Sequence, residues 1–192
     1  MGTKRYKVVL ARHGETEWSK SGKHTSYSDI ALTENGRERA KSLVAEMAKW
    51  DFSLVLSSPL VRALETCRIA GLGERAELDS DLVEWNYGAY EGITTREIRE
   101  TVPGWTVFSH PCPGGETAEQ VSERVDRVIA RARAIDGDVA LFAHGHVLRV
   151  LTARWLELDA RMGKHFVLAT GTVSVLGWER DTPALELWNA PG

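Results

Sequence analysis

Cysteine is scarce in this chain of 192 residues: Cys67 and Cys112 are its two. They are too few for a thiolate metal framework or a disulfide scaffold, and they fit a reducing compartment. An excess of one charge is missing as well. At a formal net charge of -3 no global basic field exists to draw in nucleic acid or an anionic membrane, so neither is expected as a partner. No apolar stretch is long enough to span a bilayer, and Met1 to Lys7 is polar and basic, without a signal-peptide core. The cytoplasm is the expected location. Repeats, linkers and low-complexity tracts are absent, so one domain over residues 1–192 is expected. Hydrophobic residues make up 43% of the chain, enough for a substantial core.

What the chain does contain is a repeated local pattern. Val8, Val9, Leu10 and Ala11 run into Arg12, His13, Gly14 and Glu15. Val139, Ala140, Leu141, Phe142 and Ala143 run into His144, Gly145 and His146. Short apolar, β-branched runs stopped by glycine predict buried strands of a parallel sheet. Ligands of open α/β sheets bind beyond the carboxyl ends of the strands, so both histidines should share one edge.

Between these runs, Thr33 is placed to cap a helix to about Trp50, with Leu43, Val44 and Met47 as its apolar stripe. Phe52 to Leu56 reads as a strand. Ser57, Ser58 and Pro59 read as the start of a helix carrying Arg62 in its first turn. Glu77 to Val83 reads as a short strand, and Glu84 to Gly92 as an aromatic, glycine-broken loop. Pro103 to Gly115 is an irregular excursion. Thr117 and Gln120 form a capping box for a helix through Ile135, and His146 to Leu158 predicts the next helix. Thr172 to Trp178 and Ala184 to Trp188 read as a hairpin. The alternation predicts a three-layer α/β/α sandwich with a mostly parallel central sheet and a C-terminal antiparallel hairpin strand.

Each polar piece is weak alone; a His-Gly turn is commonly a local feature and a helix-start arginine a surface charge. Together, Arg12, His13, Arg62 and His144 all fall at strand-to-helix junctions, where helix amino termini add backbone donors. Guanidiniums beside imidazoles suit a phosphoryl group better than a carboxylate. The chain here resembles the histidine phosphatase superfamily, which includes the cofactor-dependent phosphoglycerate mutases. The resemblance rests on Arg12-His13-Gly14-Glu15-Thr16, on Ser57-Ser58-Pro59-Leu60-Val61-Arg62-Ala63, on Glu84-Trp85-Asn86-Tyr87-Gly88 with Glu91-Gly92, and on Ala143-His144-Gly145-His146. These stretches follow the family's order across most of the chain.

The resemblance implies that His13 is the nucleophile that becomes phosphohistidine and Glu84 the proton donor to the leaving oxygen. It implies a phosphate pocket of Arg12, Arg62 and His144, with Gly145 beside it. Ser19, Thr25 and Ser26 match positions lining phosphate or substrate, although many relatives carry asparagine where this chain has Ser19. Trp18-Ser19-Lys20-Ser21-Gly22 and the stretch at Glu84 are similar to a branch of broad-specificity acid phosphatases and sedoheptulose-bisphosphatase-like enzymes. The mutases that it resembles carry a longer insert between the counterparts of Glu84 and His144, so hydrolysis of small phosphomonoesters is expected over mutation. The alternative substrates are sugar bisphosphates, whose second phosphate would call on Lys20, Lys23 and His24.

Rival readings concern the same residues. A His-x-His metal pair at His144 and His146 would want carboxylate ligands, for which Glu15 and Glu84 are the candidates, and two arginines would repel the cation. No metal and no cofactor are therefore expected. A non-catalytic phospho-ligand binder would be expected to lack His13, Arg12 or Glu84, and all three are present. Trp18, Trp85 and Trp105 are candidates for the substrate mouth, and Trp50, Trp155, Trp178 and Trp188 for core or rim. Arg96, Arg99, Arg124, Arg127, Arg131 and Arg133 read as solvated helix faces. A homodimer is left open.

Overall fold

The computed structural model describes residues 6–192; of the polar stretch 1–7, residues 1–5 lie outside the described residues. The elements run β1 (Val8–Arg12), α1 (Glu17–Ser21), α2 (Glu34–Met47), β2 (Phe52–Ser57), α3 (Val61–Ile69), β3 (Ala76–Leu78), α4 (Thr95–Thr101), α5 (Ala118–Arg133), β4 (Asp138–Ala143), α6 (Gly145–Trp155), β5 (Thr172–Glu179) and β6 (Thr182–Pro191). Short 3-10 turns join several of them.

Alternation along β1 builds the layers. Val8 and Leu10 join an apolar cluster with Val121, Val125 and Val128 of α5 and Val147, Leu148 and Leu151 of α6. Val9 and Ala11 face the other way, toward Leu43 and Met47 of α2 and Cys67 of α3. Both faces of the strand are therefore dry, which is why it reads as an unbroken apolar run. The sheet has six strands in the order β3-β2-β4-β1-β5-β6. β3, β2, β4 and β1 are parallel, while β5 pairs antiparallel with β1 and β6 with β5. The expected three-layer sandwich is the observed one.

Caps at Thr33 and Thr117 form as expected; the Thr117 hydroxyl accepts the Gln120 N–H and the Gln120 side chain accepts the Thr117 N–H. The start of α3 differs from expectation. Strand β2 extends through Ser57, and the helix opens at Val61 without a side-chain cap from its own end. Ser58 Oγ is committed to His144, and Asp29 from a distant loop accepts the Val61 N–H at 2.7 Å instead. β3 is also shorter than expected, because Asp79 turns the chain by accepting the Asp81 N–H at 2.9 Å.

Candidate active site

Register brings the two histidines together. Arg12 lies opposite Ala143 across the central β1–β4 pair, so His13 and His144 leave the sheet side by side. The His13 N–H continues the ladder to the Ala143 carbonyl at 3.0 Å, and the Ser58 N–H does the same to Phe142 at 2.9 Å. The two imidazole centroids are 5.1 Å apart. Three strand ends thus meet at the carboxyl edge of the sheet. A larger hollow of about 910 Å³ surrounds Lys7, Asp51 and Asp138 at the amino ends of the same strands, far from this chemistry.

Hydrogen bonds set opposite tautomers on the pair. His13 Nδ1 lies 2.7 Å from the Gly14 carbonyl, a pure acceptor, so Nδ1 carries the ring proton and Nε2 keeps its lone pair. Burial holds His13 well below the usual histidine range, and the charges of Arg12 and Arg62 push the same way. His144 is wired in reverse. Arg62 Nε, a pure donor, gives its hydrogen to His144 Nδ1 at 3.1 Å, and His144 Nε2 donates to Ser58 Oγ at 2.8 Å. Burial first and Arg62 second keep this ring neutral.

Arg62 is wholly buried in the first turn of α3. Besides His144 it donates to the carbonyls of Ser28, Thr25 and Ser26 at 3.1, 3.2 and 3.0 Å. One of its five guanidinium N–H groups is left uncommitted among the described residues. Glu91 holds that carbonyl loop by accepting the Ser26 N–H at 2.8 and 2.9 Å and the Ser28 N–H at 3.2 Å. Arg12 reaches the Leu168 carbonyl, and its buried Nε has no partner among the described residues. An orphaned buried donor is costly, and an incoming oxyanion would satisfy it. Gly145 packs closely beneath that side chain: a Cβ there would stand 3.2 Å from Arg12 Cζ and 3.3 Å from Nε, so the guanidinium would have to shift by a few tenths of an ångström.

Glu84 is buried at the amino terminus of α6. Its Oε1 accepts the N–H groups of Trp85 and Val147 at 2.8 and 2.9 Å, while Oε2 accepts only that of His146, at 2.9 Å. Oε1 has both lone pairs engaged, so Oε2 is the oxygen with room for a transferable proton. The loop that presents Glu84 is clamped by Arg124, which sequence pattern assigns to a solvated face but which is buried. Arg124 grips the Glu116 carboxylate at 2.8 and 3.0 Å and the Asp81 and Val83 carbonyls at 2.7 Å each. Acidic neighbours in the sequence concealed this role, because two of the partners, Asp81 and Val83, come from another loop.

Arg12, His13, Glu84 and Gly145 line one cleft of about 170 Å³, with Ser19, Lys23, Thr25, Tyr87, His146, Arg149 and Leu168 among its other walls. Arg62 and His144 are not in its lining and are fully buried. Ser19 Oγ is tied to Thr16, accepting its N–H at 2.9 Å and donating to its carbonyl at 3.0 Å. Ser26 is not part of the lining; it is buried, and its backbone rather than its hydroxyl serves Arg62. Trp85 and Trp105 go to the core instead of the mouth, each 1% exposed. Tyr87 and Arg149 were not singled out by the sequence. The Tyr87 hydroxyl meets His146 Nδ1 at 2.6 Å. Arg149 lies one helical turn beyond Gly145, the spacing that could have flagged it.

His13, His24, His144 and His146 are all pushed below the usual histidine range, burial being the largest cause for each. The unfolded chain would bind these protons near about pH 6.5, whereas the folded chain refuses them until the pH is lower. Their contribution to stability is therefore complete above that pH and falls as acid is added. The slope is up to about 1.4 kcal/mol per pH unit per histidine, continuing for His24 to its own value of about 4. Urea midpoints should drop between about pH 7 and about pH 5; a level midpoint would show these rings charged in the folded chain.

Residues 8–191 match the family model of the histidine phosphatase superfamily (branch 1). The chain belongs to that superfamily. Over 197 residues it is 38% identical to an acid phosphatase of Mycobacterium tuberculosis, covering 100% of this chain and 96% of the relative. It is 33% identical to a sedoheptulose 1,7-bisphosphatase of Saccharomyces cerevisiae across 81% of this chain and 69% of that protein. A solved structure of an open reading frame product from Mycobacterium tuberculosis is similar at a TM-score of 0.93 and 36% identity, over 97% of this chain and 98% of that one.

Proposed function

We propose that this histidine phosphatase, acting as a single domain over residues 1–192, hydrolyses small phosphomonoesters of broad structure through a phosphohistidine at His13. The observation that carries this is the tautomer of His13, with Nδ1 locked to the Gly14 carbonyl and Nε2 free at a cleft walled by Arg12. The Nε2 lone pair attacks phosphorus, the bond from phosphorus to the ester oxygen breaks, and the Glu84 proton moves to that oxygen. Water then attacks the phosphohistidine, gives its proton to Glu84, and the P–N bond breaks to return neutral His13. Arg12, the remaining N–H of Arg62 and the amino terminus of α6 at Gly145 compensate charge on the equatorial oxygens, while His144 fixes Arg62.

Ser19 and Thr25 line the substrate side of the cleft, and Ser26 acts through its backbone. The substrate in this reading is a small phosphorylated metabolite of the cytoplasm, and the net charge of -3 supplies no basic field that would favour nucleic acid or a membrane as partner. Among the described residues no helix is long and apolar enough to cross a membrane. The compact segment between Glu84 and His144 favours hydrolysis over transfer.

Phosphate release from a panel of phosphomonoesters, run beside equilibration of 2- and 3-phosphoglycerate, tests the reading. Phosphate release is expected to be the faster; mutase turnover exceeding it would reverse the assignment. Guanidiniums take the place of a cation in this mechanism. Full activity is therefore expected after exhaustive chelation, and loss restored by a divalent ion would return His144 and His146 to a metal role.

A further inference from the structure

The hydrogen bond that sets the His13 tautomer ends on the carbonyl of Gly14. Glycine backbone turns freely unless its surroundings hold it, and Gly14 has no side chain to pack. Two elements hold it from opposite sides, through Thr66 and Gly36, neither of which lines the cleft.

Helix α3 supplies the first hold. Thr66 is completely buried one turn beyond Arg62, and its hydroxyl donates to the Arg62 carbonyl at 2.7 Å. That contact uses the one hydroxyl hydrogen, so Oγ1 is left as an acceptor, and the Gly14 N–H donates to it at 3.0 Å. A β-branched side chain in a helix has few rotamers, so the acceptor stands in a fixed place. Gly14 N–H has no other partner among the described residues.

The first turn of α2 supplies the second hold. Gly36 packs backbone to backbone on the same loop. A Cβ on Gly14 would lie 2.3 Å from the Gly36 carbonyl oxygen; one on Gly36 would lie 2.1 Å from the Glu15 carbonyl oxygen and 2.8 Å from Glu15 N. Thr33, the cap of that helix, donates its N–H to the Glu15 carbonyl at 2.9 Å. The peptide joining Gly14 to Glu15 is thus held just before it by Thr66 and just after it by Thr33, with Gly36 against its flank. Its carbonyl oxygen is the acceptor for His13 Nδ1 at 2.7 Å.

We infer that Thr66 is a positioning residue for the nucleophile: with Gly36 behind the peptide, its hydroxyl fixes the Gly14 carbonyl so that the His13 proton stays on Nδ1 and Nε2 keeps its lone pair. This rests on His13 being the attacking group. Without the hydroxyl the Gly14 N–H would be buried and unpartnered, which is costly, so the loop would turn it toward another acceptor and carry the carbonyl with it. A His13 ring released from that carbonyl also adopts the other tautomer, whose Nε2 bears hydrogen and cannot attack.

The test compares Thr66→Val, which keeps the shape and loses the hydroxyl, with Thr66→Ser, which keeps the hydroxyl. The first readout is the pre-steady-state rate of His13 phosphorylation by p-nitrophenyl phosphate. The second is the His13 tautomer in substrate-free protein near neutral pH, from the chemical shifts of its ring nitrogens, assigned by their absence in His13→Ala. Thr66→Val is expected to slow phosphorylation by about 10- to 100-fold, the scale of a slightly misplaced reacting group, and to give His13 a mixture of tautomers. Thr66→Ser is expected to restore both. An unchanged rate in Thr66→Val overturns the inference. A slowed rate with the tautomer intact also overturns it, because Thr66 would then support the fold and not the nucleophile. So does a loss that serine fails to restore. Gly36→Ala presses on the same peptide from α2 without removing a hydrogen bond, and it serves if Thr66→Val does not fold; an intact tautomer there counts against the inference in the same way. If the unaltered chain shows no phosphorylation of His13, the proposed function fails, while the ring shifts still report whether Thr66 sets the tautomer.

Discussion

Purified His13→Ala is expected to release phosphate at least about 10⁴-fold more slowly than the unaltered chain, on the scale seen when a covalent nucleophile is removed. No neighbouring group can substitute. His144, the nearest imidazole, has Nδ1 occupied by Arg62 and Nε2 donating to Ser58, so it has no free lone pair. The fold should survive the change, because the loop is held by its backbone. His13 N–H bonds to Ala143, the Gly171 N–H bonds to the His13 carbonyl at 3.0 Å, and the Gly14 N–H bonds to Thr66 Oγ1 at 3.0 Å. Far-ultraviolet circular dichroism should therefore be unchanged. In the unaltered chain, rapid quenching in base should trap an acid-labile phosphoryl group on His13. Appreciable hydrolysis by the variant would falsify the nucleophile assignment.

The second large effect separates proton donation by Glu84 from mere binding. An alkyl phosphate expels a poorly stabilised alkoxide, so Glu84→Ala should slow phosphorylation of His13 by about 10²–10⁴-fold. A nitrophenolate leaves with little proton assistance, and phosphorylation by an aryl phosphate should suffer far less. The selectivity follows from geometry: Glu84 Oε2 accepts only the His146 N–H and has room to carry the proton. Pre-steady-state measurement is needed so that slow dephosphorylation does not mask the first step. If both substrates slow in parallel, Glu84 only positions substrate and the acid lies elsewhere. Because the carboxyl also accepts N–H groups at the start of α6, Glu84→Gln is a useful companion. It keeps an acceptor there but has no acidic proton, and it should show the same selective loss.

Much of the fold was legible because its strongest signals are local. Runs such as Val8 to Ala11 and Val139 to Ala143 are apolar on both faces, which only a sheet covered on both sides requires. Capping at Thr33 and Thr117 needs partners just three residues away, so it too can be read along the chain. Arg124 shows the limit: its helical context has interspersed acids, yet its partners Glu116, Asp81 and Val83 lie in loops packed against α5. Trp85 and Trp105 show it again, since an aromatic beside a motif looks the same whether it packs inward or faces substrate.

By itself, then, the amino-acid sequence determined the layered α/β architecture and the strand-end positions of Arg12, His13 and His144, because periodicity and turn chemistry act over a few residues. Only the tertiary structure decided which imidazole keeps a ring nitrogen uncommitted. For His144 the partners that occupy both nitrogens, Arg62 and Ser58, are 82 and 86 residues away in sequence. It likewise decided that Ser26 serves through its carbonyl and that Thr66, 52 residues away, holds the Gly14 N–H. Hydrogen-bond direction and close packing are properties of distances in space, which residue order along the chain does not record.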